Sequence, residues 1–175
     1  MKLEQGLFDG AVLQRNGRGV CDGDFAGTCD VAGRVQVTVY RGRKSVAGLR
    51  GIKVGQAADG RFAGRLRGIP TGGPYRIELQ IVGRGGQPLD TLTLGEVYVG
   101  DVWVAAGQSN MQGSGLKKYG PAPVPQVRAF YMDDRWDIAR EPLHNMWACV
   151  DEIHAVINGG QRPPAPGNEA DVDGT

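Results

Sequence analysis

The run RVQVTVY at residues 34–40 places a valine at every second position: Val35, Val37 and Val39. Only an extended chain puts alternate side chains on one face, so this run is constrained to a strand with one buried side. YRIELQIVG (75–83) repeats the pattern, with Ile77, Leu79 and Ile81 set against Arg76, Glu78 and Gln80. Turn signals stand between such runs. DGRFAGRL (59–66) reads as a turn and then a strand, while PTGGP (70–74) and GRGGQP (83–88) read as loops. The chain holds 29 glycines in 175 residues. They show no Gly-X-Y period, so the excess goes to tight turns rather than to a collagen helix. Roughly six strands at spacings of about ten residues predict a β-sandwich or jelly-roll-like module over residues 1–95.

The character changes near Glu96. EVYVGDVWVAA is almost continuously apolar, broken by Gly100 and Asp101. Such a run suits a strand buried on both faces, as in a parallel sheet flanked by helices. VRAFYM (127–132) is predicted as a second strand of that sheet, after the proline-rich loop KKYGPAPVPQ. The start of an α/β domain is therefore expected over 96–158, with a boundary near 96–100. GGQRPPAPGNEADVDGT (159–175) has almost nothing to bury and reads as a loop or disordered tail.

Charge is balanced, with 20 Lys+Arg against 19 Asp+Glu. No global basic field points to nucleic acid or an anionic membrane as partner. The local cluster Arg41, Arg43, Lys44 and Arg50 reads as a solvated strand edge and loop. No stretch approaches the roughly 18 apolar residues of a membrane span. MKLEQGLFDG has no apolar core of a signal peptide, and the compartment stays open. Cys21 and Cys29 flank CDGDFAGTC, where a small disulfide ring is conceivable; with Cys149 the odd, sparse set favours free thiols. No CxxC and no His/Cys cluster occurs, so no metal and no cofactor is expected. Glu169, Asp171, Asp173 and Gly174 imitate the start of a calcium loop without its closing glutamate.

The chemistry concentrates at VWVAAGQSNMQ (102–112). A buried strand ending in a glycine turn places the next residues at the carboxyl edge of a sheet, where sites form in open α/β folds. Ser109 would stand there, before a short helical turn at Asn110-Met111-Gln112. Backbone N–H groups at the start of such a turn lack intrahelical partners and can stabilise an oxyanion. A serine hydroxyl beside them is a sensible nucleophile. The motif is not G-x-S-x-G, because Met111 occupies the second glycine position. Read structurally, Ser109 is simply a helix N-cap, and the amides of Gln108 and Asn110 only satisfy loop backbone groups.

GDVWVAAGQSNM resembles the nucleophile block of the sialate O-acetylesterases and related carbohydrate esterases of the hydrolase superfamily named for its Ser, Gly, Asn and His blocks (SGNH). Three further stretches are similar to that family: LFDGAVLQR (7–15), GIPTGGPYRIEL (68–79) and RWDIAREPLH (135–144). The resemblance implies Ser109 as nucleophile and a flavodoxin-like α/β domain after the β module. It also implies that the Ser109 backbone N–H is an oxyanion donor, with Gly107, Gln108 and Asn110 shaping the oxyanion or substrate site. The substrate implied is an acetylated carbohydrate, with no metal or organic cofactor. The base implied is a histidine in a later D-x-x-H block, so the chain is expected to be the N-terminal part of such an enzyme, inactive by itself. Asp151-Glu152-Ile153-His154 fits D-x-x-H literally but lies only 45 residues after Ser109. His144, Trp136 and Trp147 read as packing residues or as the rim and floor of a sugar site. The competing reading is a carbohydrate-binding or structural β module, weakened by its few aromatics: Phe8, Phe25, Tyr40, Phe62 and Tyr75.

Overall fold

The computed structural model describes residues 1–107, 120–141, 143, 146–157 and 159–161. The chain forms two compact units, Met1–Val102 and Trp103–Thr175. In the first, nine strands make one curled sheet: β1 (Lys2–Gln5), β2 (Val12–Gln14), β3 (Val20–Thr28), β4 (Gly33–Arg41), β5 (Lys44–Ser45), β6 (Ile52–Ala58), β7 (Arg61–Pro70), β8 (Gly72–Val82) and β9 (Pro88–Gly100). Their order is β1-β3-β7-β6-β4-β8-β9-β2, with β5 added beside β4. Every pairing in this sheet is antiparallel except β2 with β9, which is parallel.

The period-two runs explain the core. Val35, Val37 and Val39 on β4 stand opposite Ile81, Leu79 and Ile77 on β8. All six are buried. They meet Phe25, Phe62, Leu66 and Ile69 from β3 and β7, and Val97 and Val99 from β9, in one cluster. Burial of each such side chain stabilises the fold by about 1.5–3 kcal/mol before conformational entropy is counted. The β6–β7 hairpin turns on Asp59-Gly60, with φ of +51° and +76°. Positive φ at both central residues is the turn that matches strand twist, and Asp-Gly supplies it cheaply.

One glycine pair is set by packing. Gly55 and Gly64 face each other across β6 and β7. A Cβ on Gly64 would lie 2.5 Å from Phe25 Cζ, and one on Gly55 1.9 Å from the Ala63 carbonyl oxygen. The Phe25 ring takes the space that a side chain would fill.

Two expectations change. Loop 70–74 shrinks to Thr71, because β8 already starts at Gly72, where φ of +128° and +136° at Gly72 and Gly73 suits glycine. Glu96–Gly100 is the end of β9 in the β-rich unit, and residues 101–107 carry no strand. The apolar run is thus two things: Val97 and Val99 face the core, while Trp103 and Val104 are almost fully exposed. Cys21 and Cys29 form no ring, in keeping with the free thiols that the sparse cysteine set favours. An eight-residue step along an extended strand spans roughly 26 Å, far beyond disulfide reach; both are free and buried, as is Cys149.

In the second unit, β10 (Arg128–Phe130) pairs with β11 (Trp136–Ile138). The pairing is antiparallel, so VRAFYM forms one arm of a hairpin and not a parallel strand; five residues suffice to turn the chain back. Phe130 and Trp136 rings pack at 5.6 Å. Arg140 N–H donates to the Tyr131 hydroxyl at 2.9 Å, which tethers the chain leaving the hairpin. A 3-10 turn (Met146–Ala148) and a short helix, α1 (Ile153–Ile157), follow. Among the described residues no parallel sheet of an α/β domain is seen.

Gly55→Ala forces backbone apart at the Gly55–Gly64 contact. It is expected to lower unfolding free energy by about 1–3 kcal/mol, against no more than ~0.5 kcal/mol for a surface change such as Lys53→Gln. Urea denaturation of the two variants checks this, and equal midpoints would contradict the packing.

Candidate functional site

The described residues nearest GQSNM are those that precede it in the chain. LFDGAVLQR folds against the strand that leads into GDVW. Leu7 buries its side chain in the core. The Asp9 carboxylate accepts the Gly95 N–H at 2.5 Å, and Gly10 N–H donates to the Gly95 carbonyl at 3.2 Å. These contacts sit where β9 bulges and Glu96 takes a φ of +51°. An aspartate acceptor and a backbone pair thus hold the bulge that re-aims the end of β9. Val12, Leu13 and Gln14 then pair with Tyr98, Val99 and Gly100. Tyr98 N–H donates to Ala11 O and Arg15 N–H to Gly100 O, both at 2.8 Å.

Two side chains continue the pairing past the end of β9. Arg15 donates from Nε and Nη2 to the two carboxylate oxygens of Asp101, each at 2.9 Å. Gln14 Oε1 accepts the Val102 N–H at 2.7 Å, while Gln14 Nε2 donates to the Arg15 carbonyl at 2.8 Å. The fork-to-carboxylate geometry is directional. The Arg15 hydrogen bond holds the Asp101 carboxyl below its ordinary range, and Asp101 raises the Arg15 guanidinium. Both groups are half exposed, so the pair orients the chain more than it stabilises the fold. Chain direction is therefore fixed as far as Val102, seven positions before Ser109.

Of the sequence-predicted site residues, Gly107 is described and exposed in irregular chain. Gln108, Ser109 and Asn110 lie outside the described residues, as does His144. The Asp151 carboxylate accepts the Ile153 N–H at 2.9 Å and so caps α1, whose backbone includes His154. Trp136 is half-buried against Phe130, and Trp147 is half-buried in the 3-10 turn. Among the described residues no cluster of three or more His, Cys, Asp or Glu side chains could hold a metal ion. Sequence reasoning missed Asp9, Gln14, Arg15 and Asp101. The signal was a cationic and an anionic residue at corresponding ends of two motif stretches, but 86 residues separate them.

Residues 99–159 match the family described as carbohydrate esterase, sialic acid-specific acetylesterase. This stretch, about a third of the chain, is similar to the sialate O-acetylesterase-like carbohydrate esterases. No curated protein matches the chain. The match begins at Val99, inside the β2–β9 pairing, so the β-rich unit supplies the scaffold from which the family segment starts.

The Arg15–Asp101 pair carries a pH signature. A carboxyl whose pKa is depressed in the folded state contributes stability above its unfolded value, about 3.9, and loses it as pH falls through the folded value. Asp101→Asn is expected to melt below the parent protein at neutral pH. The gap should close as pH falls below about 4. Melting curves across pH test this; a gap that persists in strong acid would contradict the pairing.

Proposed function

We propose that the protein is a serine esterase that removes acetyl groups from acetylated sugars, with Ser109 as nucleophile. The observation that carries this reading is the family match over residues 99–159, which contains GQSNM. In this reading Ser109 Oγ attacks the ester carbonyl and its proton passes to a histidine base. The tetrahedral oxyanion rests on the Ser109 backbone N–H, and the alcohol leaves to give an acetyl-serine that water then cleaves. Gly107, Gln108 and Asn110 line the oxyanion and substrate site. Residues 1–102 act as the β-sandwich-like module, and the family stretch as the opening of a flavodoxin-like SGNH domain.

Asp151 and His154 are not the catalytic pair in this reading. The Asp151 carboxylate already accepts the Ile153 N–H at the start of α1. The alternative, a non-catalytic carbohydrate-binding module, makes no use of Ser109.

Grafting residues 99–159 into an esterase of the matched family distinguishes these. Release of acetate from acetylated sugar by the chimera should fall by about 10³-fold or more in Ser109→Ala and stay unchanged in His154→Ala. Hydrolysis that survives Ser109→Ala overturns the nucleophile; hydrolysis lost in His154→Ala overturns the placement of the base.

A further inference from the structure

Between Asp30 and Asp59 the chain has no acidic residue but six cations: Arg34, Arg41, Arg43, Lys44, Arg50 and Lys53. The whole chain has a net charge of only +1, so this segment holds a strong local excess. All six are exposed. Elsewhere in the β-rich unit several cations are paired, as in Arg18–Asp22, Arg61–Glu4 and Arg65–Asp24. Among the described residues none of the six makes an ion pair.

The fold places Arg34, Lys53 and Arg50 on one face and the other three cations at the β4–β5 hairpin end of β4. Val35, Val37 and Val39 point inward, so the residues between them face outward. Gln36 stands opposite Lys53 on β6 and Gln80 on β8. Thr38 accepts the Gly51 N–H at 3.0 Å, which brings the Arg50–Gly51 loop onto the same face. Tyr40 stands opposite Arg76, whose guanidinium lies 3.9 Å from the Tyr40 ring centre. At the hairpin end Arg41 stands opposite buried Tyr75 and pairs with Lys44, so these two continue the inward side of β4 beyond the core, and Arg43 lies in the turn between them. Glu78, a carboxylate on this face, is engaged by Arg76 at 3.3 Å and by Gln80 at 3.0 Å. Thr93 and Thr91 on β9 extend the face beyond Glu78 and Gln80.

We propose that this face, with the β4–β5 hairpin, docks an acidic, uronate-bearing polysaccharide. The unpaired cations answer the sugar carboxylates, and the carboxamides and hydroxyls of Gln36, Thr38, Gln80 and Thr93 answer sugar hydroxyls. Two rivals fit less well. Single-stranded nucleic acid needs free aromatic faces, and the Tyr40 ring is covered by Arg76. A membrane surface calls for apolar anchors beside the cations, and no large apolar side chain is exposed within residues 31–58. Choosing a glycan over other polyanions rests on the carbohydrate-esterase reading above.

Affinity electrophoresis of the full chain through polygalacturonate tests the proposal, with dextran, single-stranded DNA and anionic lipid vesicles as comparisons. The expected result is retention by polygalacturonate that weakens with added salt, no retention by dextran, and weaker binding to DNA and vesicles. The Arg43→Ser/Lys44→Ser/Arg50→Ser variant, changed only at exposed side chains, should bind about tenfold more weakly. No retention at low salt, equal retention of the variant, or tighter binding to DNA or vesicles would overturn it. Ester hydrolysis is scored separately. Retention with a Ser109-independent chimera overturns the esterase alone; a Ser109-dependent chimera without retention overturns the docking face alone.

Discussion

The parallel pairing of β2 with β9 ties the two ends of the β-rich unit together, at the residues where the family match begins. Three residues near the chain start, Val12–Gln14, run beside Tyr98–Gly100. A parallel pair needs a long crossover, and here the crossover is nearly the whole β-rich unit. The end of β9 is held from both sides, by β2 and by β8, where Gly72 stands opposite Val99. Asp9 at the bulge, and Gln14 and Arg15 beyond the last strand residue, extend that hold to Val102.

Much of the fold was legible because one periodicity recurs. Val35, Val37 and Val39 and the Ile77–Leu79–Ile81 set specified two strands and their buried faces, and in the sheet they are each other's neighbours. Asp59-Gly60 marked a hairpin because its turn chemistry is local. What failed was long-range. EVYVGDVWVAA is apolar throughout, and apolarity alone does not separate a strand buried on both faces from a strand end followed by exposed chain. The structure puts Val97 and Val99 inside and Trp103 and Val104 outside. VRAFYM likewise marked a strand but not its partner, which the turn at 131–135 decides: Tyr131 N–H donates to the Arg135 carbonyl at 2.8 Å.

The candidate site was legible as a motif and not as a geometry. GQSNM stands out in five letters, whereas the residues that hold the end of β9 before it are spread over both ends of a 100-residue unit. Asp9 and Arg15 look like ordinary surface charges in the sequence. Only the register of β2 on β9 shows that one caps a bulge and the other forks onto Asp101. The literal D-x-x-H at 151–154 is the opposite lesson. An aspartate three residues before a histidine is also an aspartate two residues before Ile153, and the helix-capping use is the one observed.

Amide hydrogen exchange on the full chain tests the central structural point most directly. If the opening segment holds the end of β9, the Tyr98 and Arg15 amides exchange slowly, together with those of β4 and β8, and both speed up in Asp9→Ala. Exchange of Tyr98 and Arg15 at free-peptide rates, while β4 and β8 stay protected, would show that β2 is not docked on β9 and that the opening segment does not hold its end.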